Sequence, residues 1–224
     1  MYLKDLIAQL LPVCDSHTEA ISQAWLLLEH VLAQTKAQLM MQPTLSLSPA
    51  QQVQLAVLVQ ERVIHRKPIQ YLLGSVPFAD LTIMVRPPTL IPRPETEEWV
   101  MWLVQKLDSV RDQPLRILDL CTGSGCIALA LAKAFPRAQV LGVDIAPEAI
   151  ALARENAEKN RLINVDFVCA DLWDGVPDGQ QYDLVVANPP YISAAEYEQL
   201  QPEVVAWEDA RALTAAQQGL AVYV

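Results

Sequence analysis

Several features that would announce a function are missing from this chain. Its four cysteines, Cys14, Cys121, Cys126 and Cys169, contain no Cys-x-x-Cys spacing, and its three histidines, His17, His30 and His65, are scattered. Neither a zinc site nor a disulfide framework is indicated, and reduced, cytoplasmic conditions are expected. No apolar run reaches membrane-spanning length without a charge. Residues 1–11 carry Lys4 and Asp5 where a secretory signal needs an unbroken apolar block, and suit an amphipathic helix instead. Basic residues are scarce as well: 16 Lys and Arg against 26 Asp and Glu give a net charge of −10. That balance argues against a broad phosphate-binding surface, so no direct nucleic-acid partner and no membrane partner are expected. No repeat or low-complexity tract interrupts the 224 residues, a length sufficient for one substantial core and a smaller module.

What is present divides near residue 75. Before it, Ala, Leu and Gln recur at i, i+3, i+4 spacing and predict helices over 2–11, 16–34 and 49–65. Ser48 with Gln51 forms a capping-box pattern, and Pro49 suits the first helical position. Trp25, Met40 and Met41 are expected in the core of this module. From Val76 to Pro92, the alternation in Pro77 to Val85 predicts a β-hairpin. Beyond it strands and helices alternate, with an amphipathic helix over Glu148 to Asn160 opened by Pro147. The fold class expected is α/β, a doubly wound parallel sheet. The chain therefore divides into a helical domain over 1–75, a hairpin linker over 76–92 and an α/β domain over 93–224.

The chemistry concentrates in the last of these. Leu118-Asp119-Leu120 reads as a strand running into the turn Cys121-Thr122-Gly123-Ser124-Gly125, followed by a helix from Cys126 to Phe135. Glycines admit a ligand close to the backbone, and a helix N-terminus offers unpaired N–H groups. An ordinary strand-to-helix turn is the competing reading. A second apolar run, Val140 to Val143, ends in Asp144, placed to accept from ribose hydroxyls. A third, Val165 to Cys169, leads to Asp171 and Leu172, where a carboxylate can take an adenine amino group and a leucine can cover the ring. Each acid alone is equally a solvated strand end; the set reads as an adenosine site. No Lys-Ser or Lys-Thr follows the glycine turn and no Arg stands beside Asp144, so S-adenosyl-L-methionine fits better than ATP or NAD.

The run Tyr182 to Ala187 then ends in Asn188-Pro189-Pro190-Tyr191. Two prolines fix this turn at the edge where open α/β sheets bind ligands. It presents the Asn188 side-chain oxygen and the Pro189 carbonyl as acceptors for a planar, weakly nucleophilic NH2 group. Tyr191 either lies against that flat group or packs the turn.

Taken with Gln70 to Gly74 and with Leu90-Ile91-Pro92-Arg93-Pro94-Glu95-Thr96-Glu97-Glu98, these motifs resemble the protein-(glutamine-N5) methyltransferases that modify peptide chain release factors. The resemblance implies a Rossmann-like methyltransferase core and methyl transfer from S-adenosylmethionine to the glutamine of a Gly-Gly-Gln motif, with the release factor as protein partner and a monomeric enzyme. It implies cofactor binding by Asp119, the 121–125 loop, Asp144, Asp171, Leu172 and Asn188. Substrate binding falls to Asn188, Pro189, Pro190 and Tyr191, with catalysis at Asn188, Pro189 and Tyr191. Three other readings are weighed: a ribosomal-protein glutamine methyltransferase, which shares the Cys121 to Cys126 run; an adenine-N6 DNA methyltransferase, which uses a similar turn; and an inactive binding protein. Cys121 departs from the family, standing where glycine is usual. The acids Glu95, Glu97 and Glu98 also suit a first helical turn through the macrodipole, so a direct role for the Arg93 segment stays open beside plain helix capping. The resemblance further implies a sheet of about seven strands, of which about four can be placed. The end, Gly219 to Val224, is accordingly expected to mark a fragment or a C-terminally truncated product.

Overall fold

The computed structural model describes residues 3–42, 45–177 and 179–216. It divides into two compact units, Met1–Leu73 and Gly74–Val224. The predicted end segment, Gly219 to Val224, lies outside the described residues.

The first unit is helical: α1 (Leu3–Leu10), α2 (His17–Leu32), α3 (Lys36–Met40), α4 (Pro49–Ile64) and α5 (Ile69–Leu73). Its start signals are local. Ser16 accepts from the Glu19 N–H at the head of α2, and Ser48 and Gln51 cap α4 reciprocally with Pro49 at the first turn. Thr35 and Gln38 form a further capping box on α3. The helices α3 and α5, five residues each, escape a periodicity reading because neither completes two turns. Leu6, Leu10, Leu27, Leu39 and Leu55 are the fully buried centre of the unit, with Trp25 packed at its margin. Met40 and Met41, expected inside, are 66% and 86% exposed. Leu39 is the residue of α3 that turns inward, and the next two positions rotate to solvent. Arg62 is buried, and a buried cation needs partners: its Nε donates to Gln23 Oε1 and its Nη2 to the Val13 carbonyl, both at 2.9 Å.

The second unit opens with the predicted hairpin, β1 (Ser75–Phe78) and β2 (Leu81–Met84), antiparallel with Val76 opposite Ile83. Ala79 and Asp80 turn it, both at positive φ, as a two-residue hairpin turn with right-handed twist requires. Next come α6 (Pro94–Lys106), β3 (Arg116–Leu120), α7 (Cys126–Ala134), β4 (Gln139–Asp144), α8 (Pro147–Asn160), β5 (Val165–Cys169), β6 (Leu184–Ala187), α9 (Ala194–Tyr197) and α10 (Pro202–Trp207). The four long-range strands form one parallel sheet in the order β5-β4-β3-β6. From β3 the chain winds outward through α7 and α8 to β5, then returns to the other side of β3 as β6. The order therefore reverses between β3 and β6, and a crevice opens at their carboxyl ends. This is the expected α/β architecture.

Packing holds that crevice in place. Every residue of α7 from Cys126 to Ala132 is buried, so this stretch of the helix is apolar all round and serves as core. At Gly142 on β4 an added Cβ would lie 2.5 Å from Phe167 Cδ1, so the β5 ring sits directly on the β4 backbone. Asn156 of α8 is fully buried and ties three segments: its Oδ1 accepts from the Met84 N–H at 2.7 Å, and its Nδ2 donates to the Met84 and Ser124 carbonyls. Among the described residues, no helix is long and apolar enough to cross a membrane and no cluster of side chains could hold a metal.

Candidate cofactor and substrate site

The carboxyl ends of β3, β4, β5 and β6 converge on one pocket. Its floor is the loop after β3, where Cys121, Thr122, Gly123 and Ser124 line the cavity. Nothing lies within 4 Å of where a Gly123 Cβ would stand, leaving that backbone open to a ligand. Thr122 and Ser124 are themselves buried; Asp119 holds Thr122, and Asn156 holds the Ser124 carbonyl. Fully buried at the end of β3, Asp119 accepts at Oδ2 from Thr122 Oγ1 at 2.6 Å and from the Ala128 N–H at 3.1 Å. Burial pushes its carboxyl up to about 7, the Thr122 and Ala128 hydrogen bonds notwithstanding. Its Oδ1 has no partner among the described residues. Asp119, expected to touch cofactor, does not line the cavity. It stands beneath the loop because residue 119 points into a sheet packed on both faces.

Asp144 ends β4 inside the pocket. Its Oδ2 accepts from the Gly123 N–H at 2.8 Å and its Oδ1 from the Ala146 N–H at 2.9 Å, which fixes the carboxylate and joins it to the glycine loop. Desolvation raises its pKa nonetheless. Asp171 and Leu172 contribute from the turn after β5, with Leu172 at φ 40. From the turn after β6 come Asn188 and Pro190, while Pro189 is buried between them. Gly125 and Tyr191 do not line the cavity. Gly125 is the residue ahead of α7, at φ 82, where an added Cβ would stand 3.0 Å from Ala153 Cβ. Tyr191 is 61% exposed.

Cys121 occupies φ 59, a region that favours glycine. Its thiol is pushed up to about 12 by burial and by the neighbouring charges of Asp144, Asp119 and Asp171, and that of Cys126 reaches about 12 through burial and Asp119. Both thiols are neutral and poorly nucleophilic at neutral pH.

Two segments that the sequence reading did not assign to the site complete it. Pro88, Thr89, Leu90, Pro92, Arg93 and Thr96 line it from the stretch ahead of and into α6, and Asp209, Arg211 and Ala212 from the stretch after α10. Arg93, left open between helix capping and a ligand role, faces the cavity, whereas Glu95 does not. Arg211 Nη2 reaches Asp209 at 2.6 Å and Glu148 at 2.8 Å. The adjacent acids Glu208-Asp209 behind α10 were the available signal in the sequence; Asp209 pairs locally with Arg211, but nothing local marks Arg93 as the partner of Glu208.

The lining chemistry selects among ligands. Acceptors dominate, with Asp144, Glu148, Asp171 and Asp209 against Arg93 and Arg211, and both arginines are already paired with carboxylates. Among the described residues, a nucleotide phosphate would find no free cation there, whereas a cationic adenosine derivative fits the cradle.

Comparison with known proteins bears on the same residues. Residues 100–219 match the methyltransferase small domain and residues 7–74 the PrmC N-terminal domain. The chain is 39% identical over 198 residues to a release factor glutamine methyltransferase of Vibrio cholerae, covering 88% of this chain and 68% of that protein. It is 44% identical over 160 residues to one from Geobacter sulfurreducens, covering 70% of this chain and 54% of that protein. A Thermodesulfovibrio yellowstonii relative of the same name is 39% identical over 163 residues, covering 73% and 58%. The chain thus spans between 54% and 68% of the length of these relatives.

Proposed function

Because the chain belongs to the release factor glutamine methyltransferase family, we propose that it transfers a methyl group from S-adenosylmethionine to the side-chain amide nitrogen of a glutamine in a peptide chain release factor. The observation that carries this reading is the convergence of the 121–124 loop, Asp144, Asp171 and Asn188 on a single pocket. The cofactor, when bound, supplies a methyl group on a positively charged sulfur, an electrophile that needs no further activation. Asp144 holds the ribose hydroxyls, Asp171 the adenine amino group, and Leu172 covers the ring. The open backbone around Gly123 meets the amino-acid portion, at the N-terminal end of α7, where carboxylates are favoured. Cys121 narrows that approach but, being neutral, adds no charge to it.

An amide nitrogen donates poorly because its lone pair is delocalised into the carbonyl. Orientation must therefore supply much of the rate. Asn188 Oδ1 and the Pro189 carbonyl each accept one amide hydrogen, turning the nitrogen toward the methyl carbon. The same two dipoles stabilise positive charge growing on nitrogen as the nitrogen–methyl bond forms and the methyl–sulfur bond breaks, without reorganisation at the moment of reaction; the sulfide leaves neutral and one of the two held amide protons passes to solvent. Pro189 and Pro190 supply that rigidity. The helical unit, matched by the PrmC N-terminal domain, is the module proposed to recognise the release factor, and the enzyme is proposed to act as a monomer in the cytoplasm.

The test is incubation with methyl-labelled S-adenosylmethionine and, separately, a release factor, its Gln→Ala variant in the Gly-Gly-Gln motif, ribosomal protein and DNA. Label on the release factor that vanishes with the Gln→Ala change is the expected result. Label on DNA or ribosomal protein instead would refute it, and no label on any of them would leave the binding-protein reading.

A further inference from the structure

Glu208 is a buried acid that no step above uses. It follows α10, and its side chain is 1% exposed. Arg93 Nη2 donates to both of its oxygens, at 2.8 Å to Oε1 and 2.7 Å to Oε2, and the Ile91 N–H donates to the same carboxylate. One residue on, the Asp209 N–H donates to the Pro88 carbonyl at 2.7 Å. Further along, the Ile192 N–H donates to the Leu213 carbonyl at 2.9 Å, which brings the same stretch beside the turn that carries Asn188. Two segments distant in the chain, 88–96 and 208–213, are thus joined at Glu208, and both line the pocket.

We propose that Glu208 is a positioning residue of the methyl-transfer site, joining the 88–96 and 208–213 segments into one wall and neutralising the Arg93 guanidinium that this wall presents to the ligand. The inference rests on the methyltransferase reading for the identity of that ligand. Its electrostatic part follows from the pocket's content. Arg93 is the only cation contributed by the 88–96 segment to the cavity among the described residues, and Glu208 is the acid that pairs with it. Without that carboxylate, a half-buried positive charge faces a ligand whose sulfur is also positive. A sulfide analogue of the same shape, S-adenosylhomocysteine, does not feel that repulsion.

The experiment compares the full chain with Glu208→Gln, Arg93→Met and the double variant. Hydrogen exchange without ligand is expected to show faster exchange at the Ile91 and Arg93 amides in Glu208→Gln. Calorimetric titration is expected to show S-adenosylmethionine affinity falling at least about threefold more than S-adenosylhomocysteine affinity in that variant, with the difference removed in the double variant. A packing role alone would weaken both ligands equally. Unchanged exchange at Ile91 and Arg93, or equal loss for the two ligands, overturns the proposal. Glu208→Gln preserves side-chain volume, but its neutral amide oxygen accepts from Ile91 more weakly than the carboxylate does; should it unfold, Arg93→Met alone carries the exchange measurement. A wild-type chain that binds neither ligand refutes the methyltransferase reading, while the ligand-free exchange still decides what Glu208 holds.

Discussion

The two units stabilise themselves by different means. Through residue 73 the chain carries five acidic and five basic residues, and from 74 onward 21 acidic and 11 basic, so the entire net charge of −10 belongs to the α/β unit. Buried polar side chains divide as unevenly. Gln23 and Arg62 are those of the helical unit, and they bond each other; Thr89, Thr96, Asp119, Thr122, Ser124, Asn156 and Glu208 lie in the α/β unit among the described residues. The helical unit rests on leucine burial and short-range caps. The α/β unit commits buried polar groups to holding loops that a ligand must meet. A buried polar group is costly unless it is bonded, so such groups mark where geometry rather than burial alone is being maintained.

Substitutions can break or sharpen that contrast. The largest effect is expected at Asn188→Ala: methyl transfer falls about 10²- to 10³-fold, as when one preorganised acceptor or donor is removed from an active site. Its urea midpoint should stay near that of wild type, and normal transfer in this variant would refute the acceptor geometry. Next, Asn156→Leu releases Met84 and Ser124 together and should cost about 2–4 kcal/mol by urea denaturation, with weaker cofactor binding because the glycine loop loses an anchor. Its counterpart in the helical unit, Arg62→Met, should cost about 1–3 kcal/mol and leave cofactor affinity unchanged. The contrast fails if Arg62→Met weakens cofactor binding while Asn156→Leu does not.

A subtler effect concerns pH. The Asp119 carboxyl, at about 7 in the folded chain against an ordinary value of 3.8, binds its proton more tightly when folded. Its stabilising contribution is therefore full below the unfolded value and is lost as pH rises toward 7. Asp119→Asn should flatten that part of the stability profile relative to wild type, read as denaturation midpoints between pH 4 and 7; an unaltered slope would place the titration elsewhere. The smallest effect is expected at the surface. Arg86 and Glu155 pair at 2.6 Å with both side chains nearly half exposed, and Arg86→Met should change stability by about 1 kcal/mol or less.

Local signals were legible in the sequence and distant pairings were not. The capping pair Ser48 and Gln51, the strand over Val165 to Cys169 and the helix beginning at Cys126 follow from neighbours only a few residues apart. So do the acids Asp144 and Asp171, each standing where an apolar run ends. Asp119 is assigned to the cofactor through the family resemblance alone, yet its side chain turns into the interior, because a strand buried on both faces gives no alternation from which its direction can be read. Met40 and Met41 misled through composition, since a five-residue helix sets its inward face by a single residue, Leu39. Glu208 and Arg93 lie 115 residues apart, and no local pattern joins them.

The bonds from Asp119 to Thr122 Oγ1 and the Ala128 N–H have a wider consequence. They splice the ligand-facing loop onto a helix buried from Cys126 to Ala132, so the looseness of the hydrophobic interior becomes the looseness of the binding surface. Thinning the packing at Leu129 or Leu131, which do not line the cavity, should therefore register as faster cofactor dissociation without altering a single lining side chain.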